Sequence, residues 1–186
     1  MTYPYIHKAM KKSILLFAIL LSIVACKNSD KSSSEEVEMS SHKSTEQSPC
    51  QLLTDSEIKI ALDIPADVET NKIKKSTTYP VCYYKWESIS FPHKVFNDRM
   101  ADRPAEMSIV WAINVNKKLY EQSISVYKDG ETINNVGEMA TWSQKMGQIT
   151  FLKDGNLIHV KAKTSANVGS NKTKSIKVAK LFAKKL

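Results

Sequence analysis

The sequence predicts an α+β domain in which N-terminal and C-terminal helices pack on an antiparallel β-sheet. Three observations support this fold class. Apolar and polar residues alternate through several short segments, as they do in strands that bury one face. Apolar residues recur at helical spacing at both ends of residues 50–186. The stretch KDGN at 153–156 is typical of a tight hairpin turn between antiparallel strands.

The first predicted helix follows Cys50. Thr54 or Asp55 can cap it, and Glu57 stands three residues after Thr54, which is the spacing of a capping box. Pro65 is expected to end the helix. Its apolar face is formed by Leu53, Ile58, Ala61 and Leu62.

Two strands with an intervening loop are predicted next. Residues 81–88 alternate, and residues 106–116 alternate more clearly, so both segments predict strands. Prolines bound residues 91–104, which favours a loop. The first strand places Cys82, Tyr84 and Trp86 on one side, and the second has a face formed by Met107, Ile109, Trp111, Ile113 and Val115.

The remaining elements complete the order α, β, β, α, β, β, β, α. Residues 117–128 have helical spacing and end at Asp129-Gly130. Three strands follow at 140–144, 148–153 and 157–163. The C-terminal segment 171–186 predicts an amphipathic helix that packs through Ile176, Ala179, Phe182, Ala183 and Leu186.

The N-terminal segment has the organisation of a signal peptide. Lys8, Lys11 and Lys12 precede an uncharged apolar stretch at 14–25, which is too short to span a bilayer. The tetrad at 23–26, IVAC, resembles a bacterial lipobox, and this resemblance implies cleavage before Cys26 and a lipid on its sulfur. Residues 1–25 are therefore predicted to be a lipoprotein signal peptide, with Met10 as an alternative start. The competing interpretation is an ordinary secretory signal.

Residues 26–49 are predicted to be a lipid-anchored flexible tether. This segment is polar and serine-rich, so it cannot bury enough apolar surface to offset the entropy of ordering. Two or more acyl chains would anchor it stably. The predicted location is the non-cytoplasmic side of the cell envelope, in the outer membrane if the source is Gram-negative. Residues 50–186 then form a single globular domain.

Cys50 and Cys82 are the only cysteines of the predicted domain. An exported domain with two cysteines suggests a disulfide. Closing a loop of this length would contribute about 3–4 kcal/mol to stability in the chain-entropy account. The alternative is a reactive thiol or metal pair, although the sequence has no CxxC motif.

Positive charge is concentrated at the C-terminal end. The chain carries a net charge of +8, and residues 161–186 contain eight lysines without an acidic residue. This segment is a candidate surface for anionic lipid headgroups or an acidic envelope protein, and a solvated helix face is the competing interpretation. Nucleic acid is not an expected partner, because the protein is predicted to be exported. The candidate residues are Lys161, Lys163, Lys174, Lys177, Lys180, Lys184 and Lys185.

The sequence offers little catalytic chemistry. It contains no GxSxG motif, and its five glycines do not form a phosphate-binding loop. His93 and His159 are the only histidines of the predicted domain, and both are interpreted as polar surface residues rather than bases. Carboxylates are scattered rather than clustered. No catalytic residue, metal site or cofactor is therefore predicted.

Three segments resemble small bacterial lipoproteins of unknown function. Residues 50–58, CQLLTDSEI, resemble their Cys-x-Leu-Leu-Thr-x-x-Glu-Val opening, and Cys82 with two following tyrosines resembles their second cysteine before an aromatic strand. Residues 136–142, VGEMATW, resemble their Gly-x-Gly-Asp-x-Ala-x-Trp segment, but Asn135 replaces the first glycine and Glu138 the aspartate. The resemblance implies a PsbP-like α/β sandwich with a binding or accessory role.

Two functions are compatible with these features. The first is a lipid-anchored envelope module that binds other proteins, with an immunity-type lipoprotein that blocks a toxin as one variant. The second is an envelope enzyme that acts on a cell-wall polymer. A deep pocket that holds His93 or His159 beside a carboxylate would favour the enzyme.

Overall fold

The computed structural model of the protein describes residues 48–76 and 78–186. The predicted signal peptide, the predicted lipidation site Cys26 and most of the predicted tether lie outside these residues. Within the described part of the chain the fold is α+β, as predicted, with one seven-stranded antiparallel sheet and four α-helices.

The sheet is built from two sets of consecutive hairpins. Its order is β1-β2-β3-β7-β6-β5-β4, and the pairing of the third and seventh strands joins the two sets. The helices are α1 (Pro49–Leu52), α2 (Asp55–Leu62), α3 (Lys117–Ile124) and α4 (Val168–Lys185). The strands are β1 (Asn71–Ser76), β2 (Pro80–Lys94), β3 (Met100–Ala112), β4 (Gly130–Thr132), β5 (Met139–Ser143), β6 (Gln148–Lys153) and β7 (Asn156–Lys163).

The start of α2 has the predicted capping box. The Thr54 hydroxyl accepts a hydrogen bond from the Glu57 amide at 3.2 Å, and the Glu57 carboxylate accepts one from the Thr54 amide at 2.8 Å. Leu53 and Ile58, on either side of the box, are both buried in the core, as in a hydrophobic staple. The helix ends at Asp63, whose left-handed backbone has a φ of 55°.

The predicted disulfide between Cys50 and Cys82 is confirmed. Cys50 lies in α1, a short helix that precedes the predicted one, and its Cα is 5.1 Å from that of Cys82 in β2. Cys82, Tyr84 and Trp86 are fully buried on the same side of β2, as the alternation predicts. The disulfide therefore fastens the N-terminal helices to the buried face of the sheet.

The main core lies between one face of the sheet and the helices α2 and α4. Met107, Ile109 and Trp111 of β3 point into it, and the Trp111 ring meets the Phe182 ring of α4 edge-to-face, with centroids 5.5 Å apart. A smaller cluster forms on the opposite face, where Tyr120 of α3 packs against Ala112, Leu152 and Leu157. The sheet is thus covered fully on one face and partly on the other.

Residues 91–104, predicted as a loop, instead belong mostly to a long hairpin. Strand β2 continues to Lys94 and β3 begins at Met100, with a register shift between Trp86 and Ser90. Pro92 and Pro104 are tolerated because β1 pairs with β2 only as far as Lys85 and β3 pairs with β7 only from Glu106 onward, so this ribbon has two strands. Phe96, at its tip, is 80% exposed.

The predicted strand 106–116 ends earlier than expected. It stops at Ala112, and Asn114 adopts a left-handed backbone with a φ of 59°. Ile113, predicted on the buried face, is therefore 61% exposed. Val115 packs beside the smaller cluster instead.

Candidate functional site

Helix α4 buries an apolar stripe and presents lysines on its other side. Asn167 caps its first turn by accepting a hydrogen bond from the Ser170 amide at 2.8 Å. Ala179, Phe182 and Ala183 are buried as predicted, together with Ser175 and Val178, whereas Ile176 and Leu186 are only half-buried. The exposed lysines, which we call the α4 lysine face, are Lys177, Lys180, Lys184 and Lys185.

Acidic residues of α2 and its C-terminal end neutralise part of the α4 charge. Asp63 lies 3.7 Å from the Lys174 ammonium and 3.5 Å from that of Lys177. Glu57 lies 3.0 Å from the Lys185 ammonium. The hydrogen bond from the Thr54 amide, reinforced by Lys185, lowers the pKa of Glu57 to about 2. These lysines therefore help to hold α4 against α2.

Lys180 and Lys184 differ from the other α4 lysines. Neither forms an ion pair with any residue in the described part of the chain. Both line a shallow cleft of about 480 Å³ between the end of α4 and the β6–β7 turn. Glu138 and Asp154 line the same cleft, and Glu138 accepts a hydrogen bond from the Asp154 amide at 2.7 Å.

The seven predicted lysines do not form one continuous surface. Lys161 and Lys163 lie on β7, where alternation directs them away from Val160 and Ala162, which face α4. The structure thus separates the β7 lysines from the α4 lysine face. Sequence spacing shows which lysines share a helix, but it does not show on which side of a sheet a helix packs.

The segment 136–142 has a structural role. Gly137 has a φ of 59°, and a Cβ at this position would lie 2.4 Å from the Leu152 carbonyl oxygen, so the backbone approach requires glycine. Asn135 has a φ of 61°, a conformation that asparagine tolerates better than most residues. Ala140 and Trp142 are buried in the core.

His159 belongs to a polar network on the partly covered face of the sheet. Its Nδ1 lies 2.7 Å from the Thr150 hydroxyl and 3.1 Å from the Gln148 amide nitrogen. The Tyr127 hydroxyl reaches Thr150 at 2.7 Å and accepts a hydrogen bond from Gln148 at 2.6 Å. Burial lowers the pKa of His159 to about 4, so the imidazole is neutral at pH 7. Among the described residues, the hydrogen bonds of this network link His159, Thr150, Gln148 and Tyr127 and include no carboxylate.

The second histidine, His93, lies on the long hairpin, half-buried at the rim of a pocket of about 220 Å³. Lys145, Lys161 and Lys163 line the same pocket. The charged side chains described around this pocket are therefore basic, whereas the cleft at the end of α4 is lined by both basic and acidic side chains.

Within residues 48–76 and 78–186, no three histidine, cysteine or acidic side chains are grouped so that they could hold a metal ion. In the same part of the chain, no helix combines the length and apolar character needed to cross a membrane.

Comparison with protein-family models, curated proteins and solved structures found no match to this chain. The functional assignment therefore rests on the residues and geometry described above.

Proposed function

We propose that this protein is a lipid-anchored module of the cell envelope that binds an acidic protein partner through the α4 lysine face. Cys26 carries the anchor in this proposal, and residues 26–49 hold the domain away from the membrane. An immunity-type lipoprotein, which would bind and block a toxin, is one form of such a module. The PsbP-like relationship is part of the same proposal, and the antiparallel sheet with a terminal helix on one face is compatible with it.

The uneven charge of α4 is the observation that carries the proposal. The helix contains six lysines and no acidic residue, although a solvated helix commonly alternates charges at i,i+4 spacing for stability. Ion pairs with Asp63, Glu57 and Glu131 account for four of the six, which are Lys172, Lys174, Lys177 and Lys185. Lys180 and Lys184 are left for an external anion. Such unpaired charges at the rim of an interface increase the association rate with an oppositely charged partner.

The test compares two charge reversals of equal size. Lys180→Glu with Lys184→Glu changes the α4 lysine face without removing an ion pair among the described residues. Lys118→Glu with Lys128→Glu changes two exposed lysines on and after α3, which also lack such pairs. Full-length proteins would be crosslinked in cells and purified from membranes. We expect the α4 reversal to reduce capture of a stoichiometric partner by about tenfold, and the α3 reversal to leave it unchanged.

Salt and vesicles distinguish the remaining outcomes. In a parallel capture without crosslinker, added salt should weaken binding of the partner to the wild type, since ions screen charges beyond about 8–10 Å. Binding to anionic vesicles with the same dependence on Lys180 and Lys184 would reassign the partner to lipid headgroups. Equal partner capture by both double variants and the wild type would refute the proposal.

The anchor requires its own control. Cys26→Ser should release the protein from the membrane fraction or leave it unprocessed, because the variant has no sulfur to carry the lipid. Normal lipid labelling of this variant would show that the cysteine is not the anchor.

A further inference from the structure

A small pocket lies at the end of the sheet, away from the α4 lysine face. It has a volume of about 220 Å³. Four segments meet around it: the end of β7, the turn between β5 and β6, the first turns of α4 and the long hairpin of β2. We call it the lysine pocket.

Among the described residues, those that line the lysine pocket include three lysines and no carboxylate. Lys145, Lys161 and Lys163 line it together with His93. None of the three lysines forms an ion pair with a residue of 48–76 or 78–186. The acidic residue that pairs in register with Lys163 is Glu106, which binds the Arg103 guanidinium. Lys163 therefore shares the charge of Glu106 with Arg103, and Lys145 and Lys161 have no paired carboxylate among the described residues.

Local structure holds two of these lysines in place. Residues of β7 alternate, so Lys161 and Lys163 point to the same side while Ala162 is buried between them. Both lysines are partly buried rather than fully solvated. Burial, reinforced by Arg103 and Lys161, lowers the pKa of Lys163, whereas Glu106 acts in the opposite direction. An anion in the pocket would relieve this repulsion.

An apolar wall completes the pocket. Phe91 is buried at its base, and Met146, which is 44% exposed, stands in the β5–β6 turn. The Asn171 side chain also lines the pocket, but its hydrogen bonds to the backbone of Thr164 and Ser165 hold the loop that precedes α4. A lining that combines lysines with apolar side chains suits a ligand with an anionic group and a compact body.

We propose that the lysine pocket binds a small organic anion, with its carboxylate or phosphate among Lys145, Lys161 and Lys163 and its body against Phe91 and Met146. The pocket is smaller than the roughly 300–1,000 Å³ of sites for drug-sized ligands. It therefore takes a compact molecule or the charged end of a longer one. A larger, shallow groove of about 750 Å³ shares Lys145 and Trp142 with it and would receive the rest of a longer ligand.

Titration of the folded protein with defined anions tests this proposal. Inorganic phosphate, a hexose phosphate, benzoate and acetate would each be titrated at low salt and followed by amide NMR shifts. We expect saturable shifts confined to the β5–β6 turn, the end of β7 and the start of α4. The phosphate ester and benzoate arms show which anionic group the pocket prefers, and acetate reports the contribution of charge without an apolar body.

Paired variants assign the binding to the pocket. Lys161→Gln with Lys163→Gln should weaken binding about tenfold or more, because charged hydrogen bonds contribute strongly. Lys180→Gln with Lys184→Gln removes the same charge from α4 and should change nothing. Met146→Ala should weaken benzoate but leave inorganic phosphate unaffected. Circular dichroism and thermal unfolding confirm that each variant folds.

Two results would overturn the proposal. One is an equal loss of affinity in both double-glutamine variants, which would indicate attraction by net charge. The other is the absence of saturable binding by every probe at concentrations up to about ten millimolar. Partner capture through Lys180 and Lys184 is independent of either result.

Discussion

On one face of the sheet, α2 and α4 bury Met107, Ile109 and Trp111 completely, whereas on the other face Ser108 and Val110 of the same strand remain partly exposed. Helix α3 covers only one end of this second face. Beyond that end, side-chain hydrogen bonds and lysines replace apolar packing. The comparison indicates that the first face supplies most of the stability, while the second can carry polar groups and a ligand site.

The largest expected effect comes from a substitution in the core of the covered face. Phe182→Ala removes a fully buried ring that contacts Trp111, so it should lower the free energy of unfolding by about 3–5 kcal/mol. Val110→Ala, on the partly covered face of β3, should cost about 1 kcal/mol or less, because valine is small and here only half-buried. Urea unfolding followed by circular dichroism measures both. Similar losses in the two variants would contradict the proposed difference between the faces.

The sequence predicted the covered face better than the edges of the sheet. Strands with one buried side leave an alternating pattern, and β2 and β3 were predicted from it. Strands β5 and β6 are buried on both sides, and their segments were predicted without such a pattern. Every residue of β1 and β4 is exposed, so neither strand has a pattern to detect. The prolines at 92 and 104 suggested a loop, because no sequence signal showed that this part of β3 has only one neighbouring strand.

The candidate sites were predictable only in part. Helical spacing identified the lysines of α4, since these residues share one element. Their acidic partners were not predicted, because Asp63 precedes Lys177 by 114 residues and only the packing of α2 on α4 brings them together. The lysine pocket was missed for the same reason: its β2 residues and the β5–β6 turn are separate in sequence from β7, and alternation alone does not show which turn lies beside Lys161 and Lys163.

The second expected effect concerns the attachment of the N-terminal helices to the covered face. Replacing Cys50 and Cys82 by serine should lower the free energy of unfolding by about 3–4 kcal/mol, because the unfolded chain gains the freedom of a loop that spans 32 residues. The effect should be seen as a lower urea midpoint in comparison with the oxidised protein. Mass spectrometry of a non-reduced digest supplies the control and should recover the two cysteines in one linked peptide. Two thiols that alkylate in the folded protein would contradict this assignment.

The smallest expected effect is a pH dependence of the free energy of unfolding, which His159 on the partly covered face should cause. Burial lowers the pKa of His159 from 6.5 to about 4. The folded protein therefore holds this imidazole neutral, whereas the unfolded chain binds a proton as the pH falls below 6.5. Stability should be fully retained above pH 6.5 and decline as the pH falls toward 4, by at most about 3 kcal/mol. Partial exposure of the network will reduce this loss.

His159→Gln provides the matched variant, because glutamine keeps polar atoms near Thr150 and Gln148 but does not titrate. Urea unfolding of both proteins between pH 6.5 and 4.5 isolates the contribution of the histidine. Glu57 does not interfere, because its pKa is lowered in the folded protein and its stabilising contribution is lost only as the pH falls below 4.5, the ordinary pKa of a glutamate. We expect the wild type to lose stability across this interval and the variant to stay nearly level. Parallel curves would show that water reaches the imidazole in the folded state. The polar network would then be an exposed surface. The two faces of the sheet would differ in apolar packing, but the partly covered face would not disfavour a charged imidazole.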